Sequence, residues 1–278
     1  MDCRRAGLYA EPCRVIGCEP RLEPPIKWAG GKRWLTPVLQ EKYSRHRHRR
    51  LVEPFVGGMA VAFALRPQRA LLADRNEHLI NFWREVQKGL VIEMPMEYDR
   101  DLYYRHRARF NELISRGEAH GREAASLFYY LNRTGYNGLC RFNSKGLFNV
   151  PFGRYETVTY RRDFREYVPV LRSWQLMVGD FEDLPVEADD FIYADPPYDV
   201  EFTRYAKDDF GWEDQERLAK WLAAHPGPVV ASNQATPRVL SLYRGLGFSV
   251  QTSPAPRRIS CTGDRRPAEE MVATRNVV

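Results

Sequence analysis

The sequence predicts an α/β fold with a mostly parallel sheet and one inserted segment. Short apolar runs alternate with stretches of helical periodicity, which is the pattern of a parallel sheet covered by helices on both faces. The alternation stops between residues 91 and 170 and then resumes. A chain of 278 residues has room for one such domain and an insertion of this size.

The individual elements follow from periodicity and from the turn residues that separate the periodic runs. Before the insertion they are a strand at 51–56, a helix at 59–65, a strand at 70–74 and a helix at 77–88. Within the insertion we expect helices around 101–116 and 122–133, and then a Gly- and Asn-rich hairpin at 134–155. After it we expect strands at 174–178 and 191–194, a helix at 213–224, a strand at 228–232, a helix at 236–245 and strands at 248–252 and 269–275.

These elements divide the chain into three parts. Residues 1–24 lack periodicity and contain several Pro, Gly and Cys residues, so we expect a poorly ordered amino-terminal extension. Residues 25–90 and 171–278 together form the predicted sheet domain, and residues 91–170 form the inserted domain.

Composition narrows the class of protein. Hydrophobic residues make up 44% of the chain, which supports a substantial core. No apolar run approaches the ~18 residues that a membrane helix needs, and no apolar segment follows Met1-Asp2-Cys3-Arg4-Arg5, so we expect neither a membrane protein nor a secreted one. The five cysteines are scattered without a C-x-x-C pair, which predicts no disulfide framework, no metal site and a reducing, cytoplasmic location.

The net charge of +6 is unevenly distributed. The central basic residues Arg133, Arg141, Lys145, Arg154, Arg161 and Arg162 alternate with Tyr130, Tyr136, Phe142, Phe148, Phe152 and Tyr155. Cations suit phosphates and flat rings suit exposed bases, so this interleaving predicts a nucleic-acid surface. The other basic run, residues 44–50, is more typical of a solvated face.

Candidate ligand-binding residues lie where the predicted strands end, the edge at which parallel sheets bind ligands. Acids stand at or near four such ends: Glu53, Asp74, Asp180 and Asp195. Two glycine pairs accompany them, Gly57-Gly58 after the first strand and Gly30-Gly31 between Lys27-Trp28 and Lys32. The G-x-x-x-x-G-K-[ST] loop is absent, so ATP is not the expected ligand. Each feature alone is common in turns and helix caps, but the combination predicts a ligand site.

Asp195-Pro196-Pro197-Tyr198 is the most distinctive of these strand ends. Two prolines lock the backbone in a sharp turn and leave carbonyl groups free to accept hydrogen bonds. The acid adds an acceptor and the tyrosine a flat face, so the four residues suit a planar group that carries an NH2, such as the exocyclic amine of a nucleobase. The alternative is an ordinary turn with Tyr198 in the core, because four-residue motifs recur by chance.

In order, the chain contains K-W-A-G-G-K (27–32), E-P-F-V-G-G (53–58), A-D-R-N (73–76), L-N-R-T-G-Y-N-G-L-C-R-F-N-S-K-G-L-F-N-V-P-F-G-R-Y (131–155) and D-P-P-Y (195–198). S-N-Q (232–234) and I-S-C-T-G-D-R-R (259–266) follow. Taken together these motifs, over about residues 25–276, resemble the Dam-type DNA adenine-N6 methyltransferases of the α order. The resemblance implies a Rossmann-like methyltransferase sheet, an inserted helical and hairpin DNA-recognition domain, and S-adenosyl-L-methionine as methyl donor.

The resemblance also implies site residues. Asp195, Pro196 and Tyr198 match the catalytic motif, in which the acid and the Pro196 carbonyl accept from the target N6 and the tyrosine stacks on a flipped base. The positions that match cofactor contacts are Trp28, Gly30, Gly31, Lys32, Glu53, Phe55, Gly57, Asp74, Asp180 and Asp195. Met59 departs from the F-x-G-x-G pattern, where a second glycine is usual, and we expect a shifted turn there rather than a loss of cofactor binding.

The matching DNA contacts predict a target sequence. Lys27, Tyr136, Asn137, Leu139, Arg141 and Pro151 match residues that contact double-stranded DNA at GATC. Arg141 matches a guanine reader, Tyr136 an aromatic ring inserted beside the flipped adenine, and Leu139 and Pro151 contacts to a thymine methyl. Leu139 and Pro151 also fit a hairpin core, while Asn143 and Asn149 fit turns better than base contacts. We expect a monomer.

Two alternatives remain open from the sequence. The first is a D-P-P-Y methyltransferase that acts on RNA or on cytosine N4. The second is a non-catalytic DNA-binding relic of a methylase, which only the change at Met59 favours.

Overall fold

The computed structural model describes residues 22–199, 210–255 and 268–277. Its helices are α1 (Thr36–Ser44), α2 (Ala60–Leu65), α3 (Glu77–Gln87), α4 (Arg100–Ser115), α5 (Gly121–Thr134), α6 (Val168–Leu171), α7 (Trp212–Ala224) and α8 (Pro237–Gly245). Its strands are β1 (Leu51–Glu53), β2 (Ala70–Asp74), β3 (Trp174–Val178), β4 (Phe191–Ala194), β5 (Val229–Gln234), β6 (Ser249–Ala255) and β7 (Ala268–Arg275). Single 3₁₀ turns occur at Tyr136–Gly138, Arg165–Tyr167 and Phe181–Asp183.

The seven described strands form one sheet in the order β3-β2-β1-β4-β5-β7-β6. The first five strands in this order are parallel to one another, and β7 is antiparallel to both of its neighbours. The predicted α/β fold with a mostly parallel sheet is therefore confirmed. Because β2, β1, β4 and β5 are adjacent and parallel, their carboxyl ends meet at one edge of the sheet.

The inserted segment shares a hydrophobic core with the sheet. Helix α5 packs against α3 and α4, and the ring of Tyr129 on α5 stacks on Phe82 of α3 with 5.7 Å between centroids. Phe82, Phe128, Phe164 and Trp83 are all at most 1% exposed. Helices α4 and α5 therefore support the exposed loop that follows α5.

One prediction of local structure was wrong, a second was met only in part, and a helix of nine residues was missed. The first strand ends at Glu53 rather than at residue 56, since Pro54 has no N–H group to continue the ladder. The 134–155 segment is held by isolated antiparallel bridges, Gly135 to Phe152 and Phe142 to Phe148, rather than by regular hairpin strands. Helix α1 was missed, since only Thr36, Leu39 and Tyr43 of its nine residues are buried and the apolar pattern is short.

Two segments that the sequence singled out lie partly or wholly outside the described residues. Residues 1–21 of the expected extension and the 259–266 motif lie outside them. Residues 22–24 are packed: Leu22 is 8% exposed, and the hydroxyl of Tyr167 donates to the Glu23 carbonyl at 2.7 Å. In the basic run at 44–50, Arg50 is buried and its guanidinium bonds Asp190, so this run is not wholly a solvated face.

Candidate active site

Three acids and a lysine lie together at the carboxyl-terminal edge of the sheet. Glu53 ends β1, Asp74 ends β2 and Asp195 follows β4. Lys32 reaches this edge from the segment before α1 and lies 2.9 Å from Asp195. We call these four residues the acidic edge.

Asp195 is the centre of a buried network. Its Oδ1 accepts from Lys32 Nζ at 2.9 Å and from Ser232 Oγ, also at 2.9 Å. The Tyr193 hydroxyl lies 2.9 Å from the same serine oxygen. Burial raises the pKa of Asp195, while the charge and hydrogen bond of Lys32 and the Ser232 bond act in the opposite direction. Among the described residues both donors bind Oδ1, so Oδ2 is the oxygen left for a ligand.

Glu53 lies next to this network and lacks a matching donor. It is 3% exposed, and its Oε1 has no hydrogen-bond partner among the described residues. Burial, and then the charge of Asp195, hold the pKa of Glu53 well above its usual range. A buried acid without a partner is costly. This position therefore suits a ligand that brings a positive charge or an N–H group.

The backbone of the 195–198 motif is held from outside the motif. Gln215 Nε2 of α7 donates to the Pro197 carbonyl at 2.8 Å, and Asn233 Nδ2 of β5 donates to Gln215 Oε1 at 2.9 Å. Tyr198 is half-buried, and Lys32 Nζ lies 4.6 Å from the centroid of its ring. Burial, with the charges of Asp195 and Glu270, raises the pKa of Tyr198 far above its ordinary value, so its hydroxyl stays neutral.

The glycine turn after β1 is fixed by neighbouring side chains. The Gly57 amide donates to Asp74 Oδ2 at 3.1 Å, and Trp83 Nε1 donates to the Gly57 carbonyl at 3.0 Å. Trp28 packs directly on the turn, where a Cβ at Gly57 would lie 2.6 Å from the indole nitrogen. Gly57 also has φ +46, which favours glycine. Asp74 thus joins the glycine turn to the start of α3, since its Oδ1 accepts from the Asn76 amide at 3.0 Å.

Met59 takes the backbone conformation that a glycine would take. Its φ is +58 and its side chain is 0% exposed. The side chain therefore fills the core, and the cost is the strain of a left-handed residue, about 1–2 kcal/mol.

An aromatic group lies beside Asp180, the remaining acid of the four that the sequence singled out. Phe181 follows it directly, and the ring of Phe55 lies 6.1 Å from Phe181 and 5.4 Å from Phe210. Asp180 Oδ1 accepts from Arg217 of α7 at 3.0 Å. Flat rings beside a half-buried carboxylate are a suitable surface for a heteroaromatic ring.

The 134–155 loop presents polar and aromatic side chains to solvent. Tyr136 is 46% exposed, and its amide donates to the Pro151 carbonyl at 2.9 Å. Asn137 is exposed with φ +52, so the backbone turns sharply between Tyr136 and Gly138. Leu139 is half-buried against the core, while Pro151 is exposed.

Arg141 is held at the loop surface by Asn149. Its Nε donates to Asn149 Oδ1 at 2.8 Å, and the Asn149 amide donates to the Arg141 carbonyl at 3.1 Å. Asn143 closes the turn between them, where its Oδ1 accepts from the amides of Lys145 and Leu147. Asn143 is thus a turn former as predicted, whereas Asn149 orients an arginine.

Lys27 lies beside the same loop. Its Nζ is 3.5 Å from the centroid of Tyr155 and donates to the Arg133 carbonyl at 3.2 Å. Burial, and then the charge of Arg133, lower the pKa of Lys27 to about 8. The Asn132 side chain bonds both the amide and the carbonyl of Lys27, which fixes its backbone against α5.

The structure thus brings the implied residues together in two groups. One group contains Trp28, Lys32, Glu53, Gly57, Asp74 and Asp195, with the buried Pro196 and the half-buried Tyr198. Lys32 also donates to the carbonyl of Gly30, and both Gly30 and Gly31 are exposed. The other contains Lys27, Tyr136, Asn137 and Pro151. The predicted aromatic surface was largely wrong, because Tyr130 and Phe148 are at most 2% exposed and Phe142, Phe152 and Tyr155 are half-buried.

Sequence reasoning assigned no role to several residues that hold the site. Ser232 and Asn233 stood in the quoted S-N-Q run, but nothing in that run indicated which groups they bond. Gln215, Phe181 and Phe210 belong to none of the motifs on which the sequence analysis relied. Their roles depend on which strands and helices are neighbours, which no local pattern reveals. No helix in the described residues is long and apolar enough to span a membrane.

A family model and the sequences of known relatives both point to one family. A family model described as D12 class N6 adenine-specific DNA methyltransferase matches residues 28–255. A type II methyltransferase of Methanocaldococcus jannaschii is 32% identical over 279 residues, covering 88% of this chain and 95% of that protein. DNA adenine methylases of Escherichia coli K12 and Vibrio cholerae are 33% and 35% identical, covering 89% of this chain and 93% and 94% of theirs.

Proposed function

The chain belongs to the family of D12 class N6 adenine-specific DNA methyltransferases, and from this premise we propose that it methylates N6 of a flipped adenine within GATC. The observation that carries the proposal is the buried network in which Lys32 and Ser232 hold Asp195 at the start of the Asp195–Tyr198 motif. The family methylates N6 of adenine in DNA, which disfavours RNA and cytosine N4 as the substrate.

The residues of the acidic edge fit S-adenosyl-L-methionine, whose use the family and fold imply. Glu53 is buried and its Oε1 has no hydrogen-bond partner among the described residues, so this position suits the positively charged ammonium and sulfonium groups of this cofactor. Asp74 is positioned to accept from ribose hydroxyls. The rings around Asp180 suit an adenine, with the carboxylate accepting from its amine. When bound, the cofactor supplies an electrophilic methyl group.

In the proposed mechanism the protein makes the target nitrogen a better nucleophile. Lys32 favours the ionised form of Asp195, which can then only accept hydrogen bonds. Asp195 Oδ2 accepts one N6 hydrogen and the Pro196 carbonyl accepts the other, which draws the nitrogen lone pair out of conjugation with the ring. Tyr198 stacks on the base. The proton lost from N6 after transfer passes first to Asp195 Oδ2, the oxygen that already accepts its hydrogen bond.

The 134–155 loop supports the assignment of duplex DNA as substrate. Adenine N6 lies within the base stack, so the base must leave the helix before it can react. Tyr136 is exposed on a sharp turn beside Lys27, as a ring that fills the space left by a flipped base would be. The fork of Arg141 suits the two acceptors on a guanine edge. One chain carries every residue of the proposed site, which supports a monomer. We place its action on DNA in the cytoplasm.

The test of the proposal is sequencing that detects N6-methyladenine in DNA from a host without its own adenine methylation, after expression of this chain. We expect methylation at GATC. Methylation at another adenine site would overturn the target sequence but not the enzyme class.

Calorimetry with S-adenosyl-L-methionine separates an active enzyme from a relic. We expect saturable binding by the isolated protein, because the acidic edge keeps the Lys32–Asp195 ion pair and the buried Glu53. A complete lack of binding would favour the relic.

A further inference from the structure

Two buried amide side chains connect the centre of the sheet to the Asp195–Tyr198 motif. Gln215 and Asn233 are 1% and 0% exposed. Asn233 Nδ2 donates to Gln215 Oε1 at 2.9 Å, and Gln215 Nε2 donates to the Pro197 carbonyl at 2.8 Å. Asn233 Oδ1 in turn accepts from the Gln234 amide at 2.8 Å. The chain of bonds therefore runs from β5 through α7 to the motif.

The hydrogen bond from Gln215 to the Pro197 carbonyl limits the backbone rotation that the two prolines leave free. Each proline ring locks its own φ, so the backbone between β4 and Tyr198 can still rotate about the ψ angles. Gln215 holds the peptide that joins Pro197 to Tyr198, while β4 holds the other end at Ala194. Between two fixed ends, the Pro196 carbonyl and the Tyr198 ring have little room to move relative to Asp195.

Strand β5 contributes to both halves of the motif. Successive residues of a strand point to opposite faces of the sheet. Ser232 bonds the carboxylate of Asp195, and the next residue, Asn233, bonds Gln215 on the other side. One strand thus fixes the Asp195 carboxylate directly and, through the Gln215 bond to the Pro197 carbonyl, restrains the backbone that carries the Pro196 carbonyl.

We propose that Gln215 and Asn233 are positioning residues for methyl transfer, which set the orientation of the Pro196 carbonyl and the Tyr198 ring without touching the substrate. This inference rests on the proposed function, because it assumes that these two groups receive the target adenine. A misplacement of about 1 Å at a reacting centre can reduce turnover about 100-fold.

The test is Gln215→Met, which keeps the length of the side chain and removes both of its hydrogen bonds. We expect kcat on adenine-containing duplex DNA to fall about 10- to 100-fold. The Kd for S-adenosyl-L-methionine and the KM for DNA should stay within about 3-fold of wild type, since the lost contact acts on the reacting geometry rather than on binding.

Gln87→Met is the matched control. Gln87 also donates through Nε2 to two backbone carbonyls, that of Leu171 at the end of α6 and that of Trp174 at the start of β3, away from the acidic edge. Gln87→Met should reduce thermal stability about as much as Gln215→Met does and leave kcat unchanged. A structural effect of losing a glutamine would lower kcat in both variants alike.

Asn233→Leu supplies a second, independent measurement. It leaves Gln215 able to donate to Pro197 but removes the bond that orients it, so we expect a smaller fall in kcat. The double variant should be no slower than Gln215→Met alone, because Asn233 acts through Gln215.

Three outcomes would overturn the inference: wild-type kcat in Gln215→Met, equal losses in Gln215→Met and Gln87→Met, or additive losses in the double variant. Wild-type turnover in the same assay separates this failure from failure of the proposed function. If the wild type does not methylate adenine in DNA, the proposed function fails and the inference falls with it.

Discussion

The acidic edge and the 134–155 loop differ in what holds their side chains and in how far water reaches them. At the edge, Lys32 and Glu53 are each 3% exposed, and the strands themselves bring the charges together. On the loop, Tyr136 is 46% exposed and Arg141 lies at the surface. Electrostatic interactions are strong in the buried region and are screened by water and salt in the exposed one.

The support of the two regions differs in the same way. The loop has no regular strand, and asparagine side chains take the place of strand partners. Asn111 of α4 bonds both the amide and the carbonyl of Phe148, and Asn143 closes the turn. A substitution at the acidic edge therefore leaves a buried group without its partner and lowers methylation of every substrate. A substitution at the surface of the 134–155 loop removes one contact and lowers methylation of selected substrates.

The largest expected effect is at Asp195. Asp195→Ala should lower methyl transfer at least about 100-fold, because it removes an acceptor aimed at the reacting nitrogen. Binding of S-adenosyl-L-methionine should be largely retained. Single-turnover methylation and calorimetry measure the two quantities. Retention of more than a few per cent of wild-type turnover would contradict the assigned role.

A double variant controls for folding. Asp195→Ala alone leaves Lys32 buried without its partner, which is destabilising. Lys32→Met combined with Asp195→Ala removes both charges and should recover thermal stability without recovering turnover. Recovered turnover would mean that the single variant was inactive only because it unfolds.

The next largest effect is expected at Glu53. Glu53→Gln should weaken S-adenosyl-L-methionine binding by about 1.5–3 kcal/mol, through loss of a charge-assisted hydrogen bond. Glu85→Gln, a change at another buried glutamate, which pairs with Lys88, should leave the affinity unchanged. Equal affinities in wild type and Glu53→Gln would exclude Glu53 from the cofactor site.

The same variant should be more stable than wild type when no cofactor is bound. The raised pKa of Glu53 means that the folded protein holds this proton more tightly than the unfolded chain. Wild-type stability therefore falls as pH rises above the unfolded pKa, and glutamine removes that loss. The difference in unfolding free energy should grow from about pH 5 to about pH 8. A constant or opposite difference would show that Glu53 already has a partner in the free protein.

How much the sequence predicted also differs between the two regions. The acids that end β1, β2 and β4 could be found from local patterns, because strand ends are marked by apolar runs followed by Asp, Pro and Gly. The support from Gln215, Asn233 and Ser232 could not, since it depends on β5 lying beside β4. On the loop, alternating aromatic residues suggested a stacking surface, but most of them pack inward, because only tertiary structure decides which side of an irregular loop faces water.

A smaller and more selective effect is expected at Arg141. Arg141→Ala should cost about 1–3 kcal/mol of discrimination at one guanine position, since it removes a two-pronged contact to that base. The measurement compares kcat/KM on GATC with sites changed at a single guanine–cytosine pair. Arg154→Ala, at an exposed arginine on the same loop, should lower all sites by a similar factor, as loss of a phosphate contact does.

If Arg141→Ala lowers kcat/KM equally at all sites, Arg141 contacts a phosphate rather than a base. The reading role would then move to Lys145, or the GATC assignment would fail. A fall at one position only would place the determinant of specificity on the exposed loop, while catalysis stays at the buried edge.

The smallest expected effect concerns Lys27, the residue that joins the two regions. With a pKa of about 8 in the free protein, Lys27 loses its charge as the pH rises through that value, and an uncharged amine binds a polyanion more weakly. Affinity for a GATC duplex should therefore fall about 3- to 10-fold between about pH 7 and about pH 9. Lys27→Arg should remove this dependence, because a guanidinium keeps its charge throughout the range. Titration of a labelled duplex at constant salt measures both curves. Parallel curves would mean that Lys27 stays stacked on Tyr155 and does not contact DNA, and the contact surface would then begin at Tyr136.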